Sequence, residues 1–440
     1  MPKNKSSGFK SINEKQSYVK FSIIETVSYG LLIGSAVGLV FYLFHSEPVS
    51  YTIYLISEDH WGEYFTSISY GLSSVLLIAL LFKPARRAQK VVWAIIGSAA
   101  FIIGAEEINW GQNIFNISTP AALSEVNVQN QINFHNLYSF HYLSYHAIAA
   151  YMVLGWSIFS VAVSLWFPRL KNSVQTLGLP LIPIQIVLIF LTVPYFFLVS
   201  PVPKSDEIGE LFLSIAVLVW ASDMFVQYSC IKSIRGIWTV ISIFGILLFT
   251  AALSAGMTYR FPSSPGWRLN VMALRGYPSF GMYDQAESIY EYIYTHPEYL
   301  TPETRINHAR MLLELGNKNK AFKILTKAVE HFETNDPTEK QSSSGLKNFG
   351  IVLRLLGHSV QADDKFNQAI QVDEQKIESI SNQEDKAELL WSIAKTLEAR
   401  GDISAAIDKA HQASSMTDSV QFHNRIVRWI EELTERHKSL

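Results

Sequence analysis

The sequence of 440 residues contains one cysteine, Cys230. A single cysteine excludes an intramolecular disulfide and any zinc site built from several cysteines. The net charge is −2, with no basic stripe interleaved with aromatic residues, so we expect no nucleic-acid partner. The sequence also lacks His-Glu-x-x-His and Gly-x-Ser-x-Gly motifs. The sequence therefore contains neither of these hydrolase motifs, and they cannot be used to infer a reaction.

Long apolar runs dominate the first 254 residues or so, and they predict membrane-spanning helices. Residues 1–20 form a basic tail. We place seven spans near residues 21–44, 65–82, 91–112, 147–167, 179–200, 208–229 and 236–254. The predicted fold class is therefore all-α, beginning with a seven-helix transmembrane domain over residues 21–256. The surrounding lipid bilayer is its first expected partner.

Basic residues lie almost entirely in alternate gaps between these runs. The 14 Lys and Arg of this part are Lys3, Lys5, Lys10, Lys15, Lys20, Lys83, Arg86, Arg87, Lys90, Arg169, Lys171, Lys204, Lys232 and Arg235. Only Lys204 falls in a gap that otherwise holds acids. Because cytoplasmic loops carry the excess of Lys and Arg, we expect a bacterial inner-membrane protein with a cytoplasmic N-terminus. Everything after the seventh span is then periplasmic.

The third span ends unusually, in the segment Ala105-Glu-Glu-Ile-Asn-Trp-Gly-Gln112. Only 15 largely apolar residues precede Glu106 and Glu107, so both acids are expected at membrane depth near the outer face. Acids at that depth need a partner or a function. They are about 100° apart around a helix, so at most one can face a given centre.

Other polar residues are expected at the same face. They are His135, His141, His146, Glu207 and Glu210, and Asp59, His60 and Lys204 are candidates to join them. Carboxylates with neutral imidazoles suit either a divalent metal such as zinc or general acid–base chemistry. The candidate catalytic residues are Glu106, Glu107 and His135, and the candidate metal ligands are His135, His141 and His146. A hydrogen-bonded polar cap without chemistry is the structural alternative.

The segments Ala105–Phe115 and Asn127–Asn136 together resemble a motif pair of polytopic bacterial membrane proteins of unassigned function. The resemblance covers roughly the membrane half and implies no activity. It implies that the acids act as a unit with Trp110, Gln112, Asn130 and His135. We therefore take Trp110, Gln112 and Asn130, with Glu207 and Glu210, as candidate binding residues.

From residue 257 to 440 the sequence is charge-rich and repeats a spacing of small and large residues. The copies are Gly281, Ala286 and Tyr290; Gly316, Ala321, Leu325 and Ala328; Gly350, Gly357, Ala362, Phe366 and Ala369; and Gly401, Ala406, Ala410 and Ala413. This spacing resembles the tetratricopeptide repeat. The resemblance implies a periplasmic α-solenoid that binds a protein partner. Phe422, Ile426, Trp429, Ile430 and Leu433 are expected to cap its last repeat.

Two functions follow from these patterns. The first is a non-enzymatic scaffold in which a membrane anchor presents a tetratricopeptide-like domain to an envelope-assembly partner. The second is a metal-dependent hydrolase or transferase that acts on a lipid or lipid-linked substrate through Glu106, Glu107 and His135. The lack of midplane charges disfavours a transporter.

Overall fold

The computed structural model describes residues 7–120, 123, 127, 131–134, 137, 145–176, 179, 181–200, 202–228, 237–261, 263–334, 341–417 and 419–438. Within these residues the fold is helical and contains no strand; one isolated antiparallel bridge joins Asn127 and Leu137. The all-α prediction is therefore confirmed for the part of the chain that is described.

The chain divides into two compact units, Met1–Tyr292 and Ile293–Leu440. Residues 257–292, which follow the last apolar run, belong to the first unit. Phe44 of the first long helix stacks on Tyr277 with ring centroids 5.2 Å apart, and Gln285 Nε2 donates to the His45 carbonyl at 3.1 Å. These contacts explain why that segment groups with the apolar helices.

The first unit contains the following helices. They are α1 Ser7–Ser46, α2 Trp61–Leu80, α3 Arg87–Glu107, α4 Tyr145–Trp166, α5 Pro168–Thr176, α6 Val187–Leu198, α7 Ser205–Tyr228, α8 Ile237–Arg260 and α9 Gly266–Val271; α10 Tyr283–Thr295 crosses the boundary. Among the described residues, six segments are long and apolar enough to cross a membrane: Thr26–Ser46, Trp61–Leu80, Arg87–Glu107, Tyr145–Trp166, Ser205–Tyr228 and Ile241–Arg260.

The fifth predicted span, residues 179–200, contains only the short apolar helix α6. Its 12 residues reach about 18 Å, well short of the ~30 Å hydrocarbon core. Residues 181–186 before it are not in regular helix. Pro194 lies inside α6. The helix packs against α4 and α7, which places its irregular approach among other helices.

Helix α2 is central in the first unit, because α3, α7 and α8 all pack against it. Small residues bring α3 close: a Cβ atom on Gly104 would lie 2.9 Å from the Ser67 carbonyl oxygen. Ser67 Oγ donates to the Gly104 carbonyl at 2.7 Å. Close backbone approach and hydroxyl hydrogen bonds are how helices associate where lipid removes the hydrophobic drive. This packing holds the ends of α2 and α3 together.

The second unit is a series of helices in which neighbours along the chain pack together. They are α11 Pro302–Glu314, α12 Lys318–Thr334, α13 Ser343–Leu355, α14 Ser359–Ser379, α15 Gln383–Arg400, α16 Ile403–Met416 and α17 Val420–Lys438. The small and large residues of the repeated spacing are buried in their interfaces: Ala321, Leu325, Ala328, Ala362, Phe366, Ala369, Ala406, Ala410 and Ala413. In α17, Phe422, Ile426, Ile430 and Leu433 are buried, and Trp429 packs beside them.

The turn glycines of the repeated spacing adopt the left-handed conformation, with φ of 69° at Gly281, 79° at Gly316, 86° at Gly357 and 94° at Gly401. Gly350 has a different role, since it lies inside α13. A Cβ atom there would be 2.7 Å from the ring of Phe366 on α14. The absent side chain lets the two helices approach each other around that ring.

We therefore expect Gly350→Val to destabilise α13 and α14 by about 1–3 kcal/mol, because the added side chain overpacks the ring of Phe366. Hydrogen exchange of peptides from α13 and α14 in the full chain measures this loss. Phe366→Leu should restore part of the protection in the double variant. If the stability losses of the two single variants are additive in the double variant, the two side chains are not in contact.

Candidate functional site

Glu106, at the end of α3, is a structural acid. Its Oε1 accepts a hydrogen bond from Trp110 Nε1 at 2.5 Å, and its Oε2 accepts one from the backbone N–H of Phe134 at 2.6 Å. Hydrogen bonds to a charged acceptor are stronger than neutral ones. The two carboxylate oxygens of Glu106 therefore connect the loops that contain Trp110 and Phe134 to the end of α3.

Side-chain amides form further hydrogen bonds between the same segments. Gln112 donates to Thr119 Oγ1 at 2.9 Å and accepts from the backbone N–H of Ile132 at 2.9 Å. Asn133 Nδ2 donates to Asn109 Oδ1. The side chains of Asn109 and Asn133 are buried, and buried amides of this kind are normally satisfied. The described amides of the two segments thus form a hydrogen-bonded cap on the end of α3.

Glu107 differs from its neighbour. Among the described residues it has no hydrogen-bond partner, and its electrostatic neighbours include Glu207 and Glu210 of α7. Glu63, in the first turn of α2, interacts with both Glu107 and Glu207. The helices α2, α3 and α7 therefore bring four half-buried carboxylates to one end of the bundle. We call Glu63, Glu107, Glu207 and Glu210 the acid cluster.

Basic side chains lie beside the α7 side of the acid cluster. His146 Nε2 lies 2.7 Å from Glu210 Oε1. Lys204 Nζ lies 3.6 Å from Glu207 Oε1, and Arg268 Nη2 lies 3.6 Å from the same oxygen. Within the described residues, no Lys, Arg or His lies within 4.0 Å of Glu63 or Glu107. The cluster is therefore unevenly compensated.

Arg268 ties the segment after α8 to this end of the bundle. Its side chain is 5% exposed, and its Nη2 also lies 3.3 Å from Glu58 Oε1. The sequence gives no local signal for this role, because Arg268 occurs alone in a loop-like segment. Its burial follows from tertiary packing, which a short motif does not encode.

A small polar cavity of about 330 Å³ adjoins Arg268. Its walls are Ser57, Glu58, Asp59, Ser263, Ser264, Pro265, Trp267 and Arg268. The guanidinium lies 5.1 Å from the centroid of the Trp267 ring, and Trp267 is 66% exposed. Hydroxyl groups, carboxylates and an aromatic face suit a polar ligand group.

The loop before α2 contains two buried titratable groups, Asp59 and His60. Asp59 accepts from Asn113 Nδ2, and its backbone N–H donates to Glu63 Oε2 at 2.6 Å. Burial, followed by the charge of Glu58, raises the pKa of Asp59 from 3.8 to about 6, and the Asn113 hydrogen bond opposes this. Burial lowers the pKa of His60, against the effect of the Ser263 backbone.

Among the described residues, five other than glycine have positive φ: Asp59 (56°), Asn109 (49°), Trp110 (54°), Asn116 (52°) and Lys204 (56°). All lie in the loops at this end of the bundle. Bulky side chains rarely adopt such backbone, and strain of this kind gathers at functional sites. Trp110 is the least expected of the five, since asparagine and aspartate tolerate the conformation best.

The described structure includes seven of the candidate residues: Glu106, Glu107, Trp110, Gln112, His146, Glu207 and Glu210. It brings Glu107, Glu207, Glu210 and His146 together and gives Glu106, Trp110 and Gln112 to the cap. His135, His141 and Asn130 lie outside the described residues. Among those described, no group of three His, Cys, Asp or Glu is arranged to hold a metal ion.

The fold defines the class of protein: a helical protein with six described segments able to cross a membrane. No protein-family model matches the chain, and no curated protein matches it. The chemistry of the site therefore has to be argued from its own geometry.

Glu106→Gln and Glu107→Gln form a matched pair at adjacent positions. We expect Glu106→Gln to destabilise the cap by about 1–3 kcal/mol, because one of the two N–H donors loses its acceptor. Glu107→Gln should leave stability unchanged or raise it, since it removes charge from an acid cluster. Thermal unfolding and hydrogen exchange of residues 108–119 measure both effects. Equal losses in the two variants would contradict the division of roles.

Asp59 should make the loop before α2 more stable in acid. Because the pKa is higher in the folded state than in the unfolded state, the folded state holds the extra proton between pH 4 and 6. Stability therefore falls as pH rises through that window. A difference from 3.8 to about 6 corresponds to at most about 3 kcal/mol.

The test compares wild type with Asp59→Asn, which keeps an acceptor for Asn113 and tolerates the positive φ. Exchange protection of residues 57–64, corrected for the intrinsic rate, should favour wild type increasingly as pH falls from 6 to 4. His60 contributes equally to both proteins and cancels in the difference. A difference that stays constant with pH would show that Asp59 titrates normally.

Proposed function

We propose that the chain is a bacterial inner-membrane scaffold whose periplasmic, tetratricopeptide-like domain binds a protein partner in envelope assembly. The proposal includes seven spans. Six are the long apolar segments, and the seventh consists of α6 together with the irregular residues 181–186 before it. Pro194 and the packing of α6 between α4 and α7 support a broken span, since irregular backbone at membrane depth is tolerated where protein covers it. The orientation rests on the alternation of basic residues.

Several features of the second unit support the tetratricopeptide-like assignment. Consecutive helices pair, left-handed glycines form the turns, and small residues occupy the helix crossings. The buried stripe of α17 closes the last helix pair. Terminal helices that cover the final repeat are typical of solenoids. Such arrays commonly bind proteins on an open surface.

The main support for a protein partner is a groove of about 420 Å³ in the second unit. It lies between α15 and α17 and is lined by Glu388, Trp391, Lys395, Phe422 and Arg425. Trp391 and Phe422 form a buried aromatic floor. Aromatic floors with a charged rim are typical of protein-binding hot spots.

The charge of this groove indicates the kind of partner. Lys395 lies 5.4 Å from the centroid of the Trp391 ring, and the Arg425 guanidinium lies 4.9 Å from that of Phe422. Burial, followed by the positive charges of Lys347 and Arg425, lowers the pKa of Lys395. The charge of Glu398 opposes this lowering only in part. A partner with acidic residues would relieve this repulsion, so we expect an acidic segment to bind here.

The test places a photo-crosslinking amino acid at Glu388 in the full chain, within native membranes. The matched control places it at Val360, an 85% exposed residue of α14. We expect a discrete crosslinked partner at position 388 only. The double substitution Lys395→Glu and Arg425→Glu should abolish it, and raised salt should weaken it, because exposed charges are screened. If neither the double substitution nor raised salt reduced the crosslinking, the proposal of an acidic partner in this groove would be contradicted.

A second candidate function is a membrane-embedded hydrolase or transferase for a lipid or lipid-linked substrate. It is supported by Glu107, which has no hydrogen bond among the described residues and lies near the His146–Glu210 pair. A carboxylic acid beside an imidazole–carboxylate pair suits proton transfer. Under the scaffold proposal, Glu107→Gln leaves cellular function and crosslinking intact. The enzyme would be favoured instead if Glu107→Gln abolished cellular function while the double substitution Lys395→Glu and Arg425→Glu left it unchanged.

A further inference from the structure

The polar cavity beside Arg268 is built from two segments that are far apart in the sequence. The loop before α2 contributes Ser57, Glu58 and Asp59, and the segment after α8 contributes Ser263, Ser264, Pro265, Trp267 and Arg268. Ser263 Oγ donates to the Glu58 carbonyl at 2.6 Å, which holds the two segments together. The volume of about 330 Å³ is at the lower end of the range of about 300–1,000 Å³ that is typical of ligand sites, so the cavity suits a small ligand.

The charges on the wall disfavour an anionic ligand. Arg268 is the one basic residue among the described wall residues, and two carboxylates already lie close to it. Its Nη2 is 3.3 Å from Glu58 Oε1 and 3.6 Å from Glu207 Oε1. Asp59 adds another acid to the wall. A further anion would therefore meet carboxylates and a cation that is already paired.

A cationic ligand is disfavoured for a different reason. Trp267 offers the kind of aromatic surface on which a cation is commonly bound. The Arg268 guanidinium already lies 5.1 Å from the centroid of this ring, within the ~6 Å of a cation–π contact. A second cation at the same ring would be repelled by the first. The two arguments together favour a neutral ligand.

Trp267 still presents a large apolar surface to such a ligand. The residue is 66% exposed, whereas tryptophan is highly buried on average. A ligand with an apolar face and polar edges matches an aromatic wall beside hydroxyl groups and carboxylates. A pyranose ring with equatorial hydroxyl groups has this shape, because its C–H bonds form the faces and its hydroxyl groups project from the edge. Each hydroxyl both donates and accepts hydrogen bonds.

The wall contains acceptors and donors for these hydroxyl groups. The carboxylates of Glu58 and Asp59 can each accept several hydrogen bonds. Ser264 Oγ accepts from the Gly266 N–H at 3.5 Å, so its own hydrogen can be donated. Arg268 Nε is buried without a hydrogen-bond partner among the described residues, although buried polar groups are normally satisfied. This unused donor is an independent sign that the guanidinium has a further partner.

We propose that this cavity binds an uncharged saccharide through one pyranose ring. The ring lies against Trp267, its hydroxyl groups donate to Glu58 and Asp59, and another hydroxyl accepts from Arg268. The inference goes beyond the proposed scaffold function and does not depend on it. A glycan chain and the head group of a glycolipid both contain such a ring, and the experiment separates these two sources.

The test is saturation-transfer-difference NMR of the full chain in lipid nanodiscs, because alkyl maltoside detergents contain sugar rings of their own. The probes are methyl β-glucopyranoside, its uronic acid, its 2-amino derivative and the open-chain polyol sorbitol. We expect the neutral glucoside to bind, with most saturation on its ring C–H protons. The uronic acid and sorbitol should bind at least about fivefold more weakly, since one adds an anion and the other lacks a ring face. The amine should bind no more tightly than the glucoside.

Matched substitutions locate the site. Trp267→Leu removes the aromatic surface and should weaken glucoside binding about tenfold. Trp166→Leu, at a 69% exposed tryptophan on α4, should leave it unchanged. Ser264→Ala removes one donor and should weaken binding about fivefold. Its control is Ser279→Ala, because the exposed Ser279 hydroxyl donates to the Gly276 carbonyl outside the cavity. Circular dichroism checks that each variant is folded.

Cellobiose and octyl β-glucoside, the latter below its micellar concentration, separate the two sources of the ring. Cellobiose that binds more tightly than methyl glucoside supports a glycan chain, and octyl glucoside that does so supports a glycolipid, provided that Trp267→Leu weakens the binding in each case. The proposal would be overturned by a wild-type protein that binds no glucoside. Sorbitol or the uronic acid binding as tightly as the glucoside, or the amine binding more tightly, would overturn it as well. So would unchanged glucoside binding in both Trp267→Leu and Ser264→Ala.

Discussion

The ion pairs of Arg268 join distant segments at the end of the first unit that holds the acid cluster. Arg268 is a 5% exposed residue in a segment that follows the last long apolar helix. Its guanidinium joins Glu58, in the loop before α2, to Glu207 of α7. Breaking a buried pair leaves the remaining charge desolvated, which costs several kcal/mol. The loops that carry Asp59, Asn113 and Trp267 therefore depend on this residue for their positions. The same contact explains why residues 257–292 group with the apolar helices.

Carboxylates that are clustered and half-buried require compensation, and this structure compensates them unequally. Glu207 lies near two cations and Glu210 near His146, whereas Glu63 and Glu107 have none within 4.0 Å among the described residues. Stability alone would favour apolar residues at such positions. Left-handed backbone at Trp110 and Lys204 adds further cost in the same loops. Both costs are easier to understand if this end of the bundle binds something polar than if it serves packing alone.

The sequence predicts those parts of the structure that depend on periodic or local signals. Apolar runs predict the long helices, and the repeated small residues predict buried crossings such as Gly350 against Phe366. The grouping of Glu107, Glu207, Glu210 and His146 follows from their common position at span ends. Arg268 and Glu63 have no such signal, because their roles arise from packing between segments far apart in sequence. The shortness of α6 is also unpredicted: its apolar run is long enough, but its first part does not form a regular helix.

The adjacent acids at the end of α3 show how one motif can serve two purposes. Successive residues point about 100° apart on a helix, so a Glu-Glu pair must send its carboxylates in different directions. Glu106 accepts two hydrogen bonds and holds the amide-rich cap. That anchoring fixes the end of the helix, and with it the direction of Glu107 toward α7. A cap that is rigid and fully hydrogen-bonded is what a chemically available acid beside it needs, since positions held by packing are more accurate than positions on a free loop. The structural and functional interpretations of the motif therefore apply to different residues of it and do not compete.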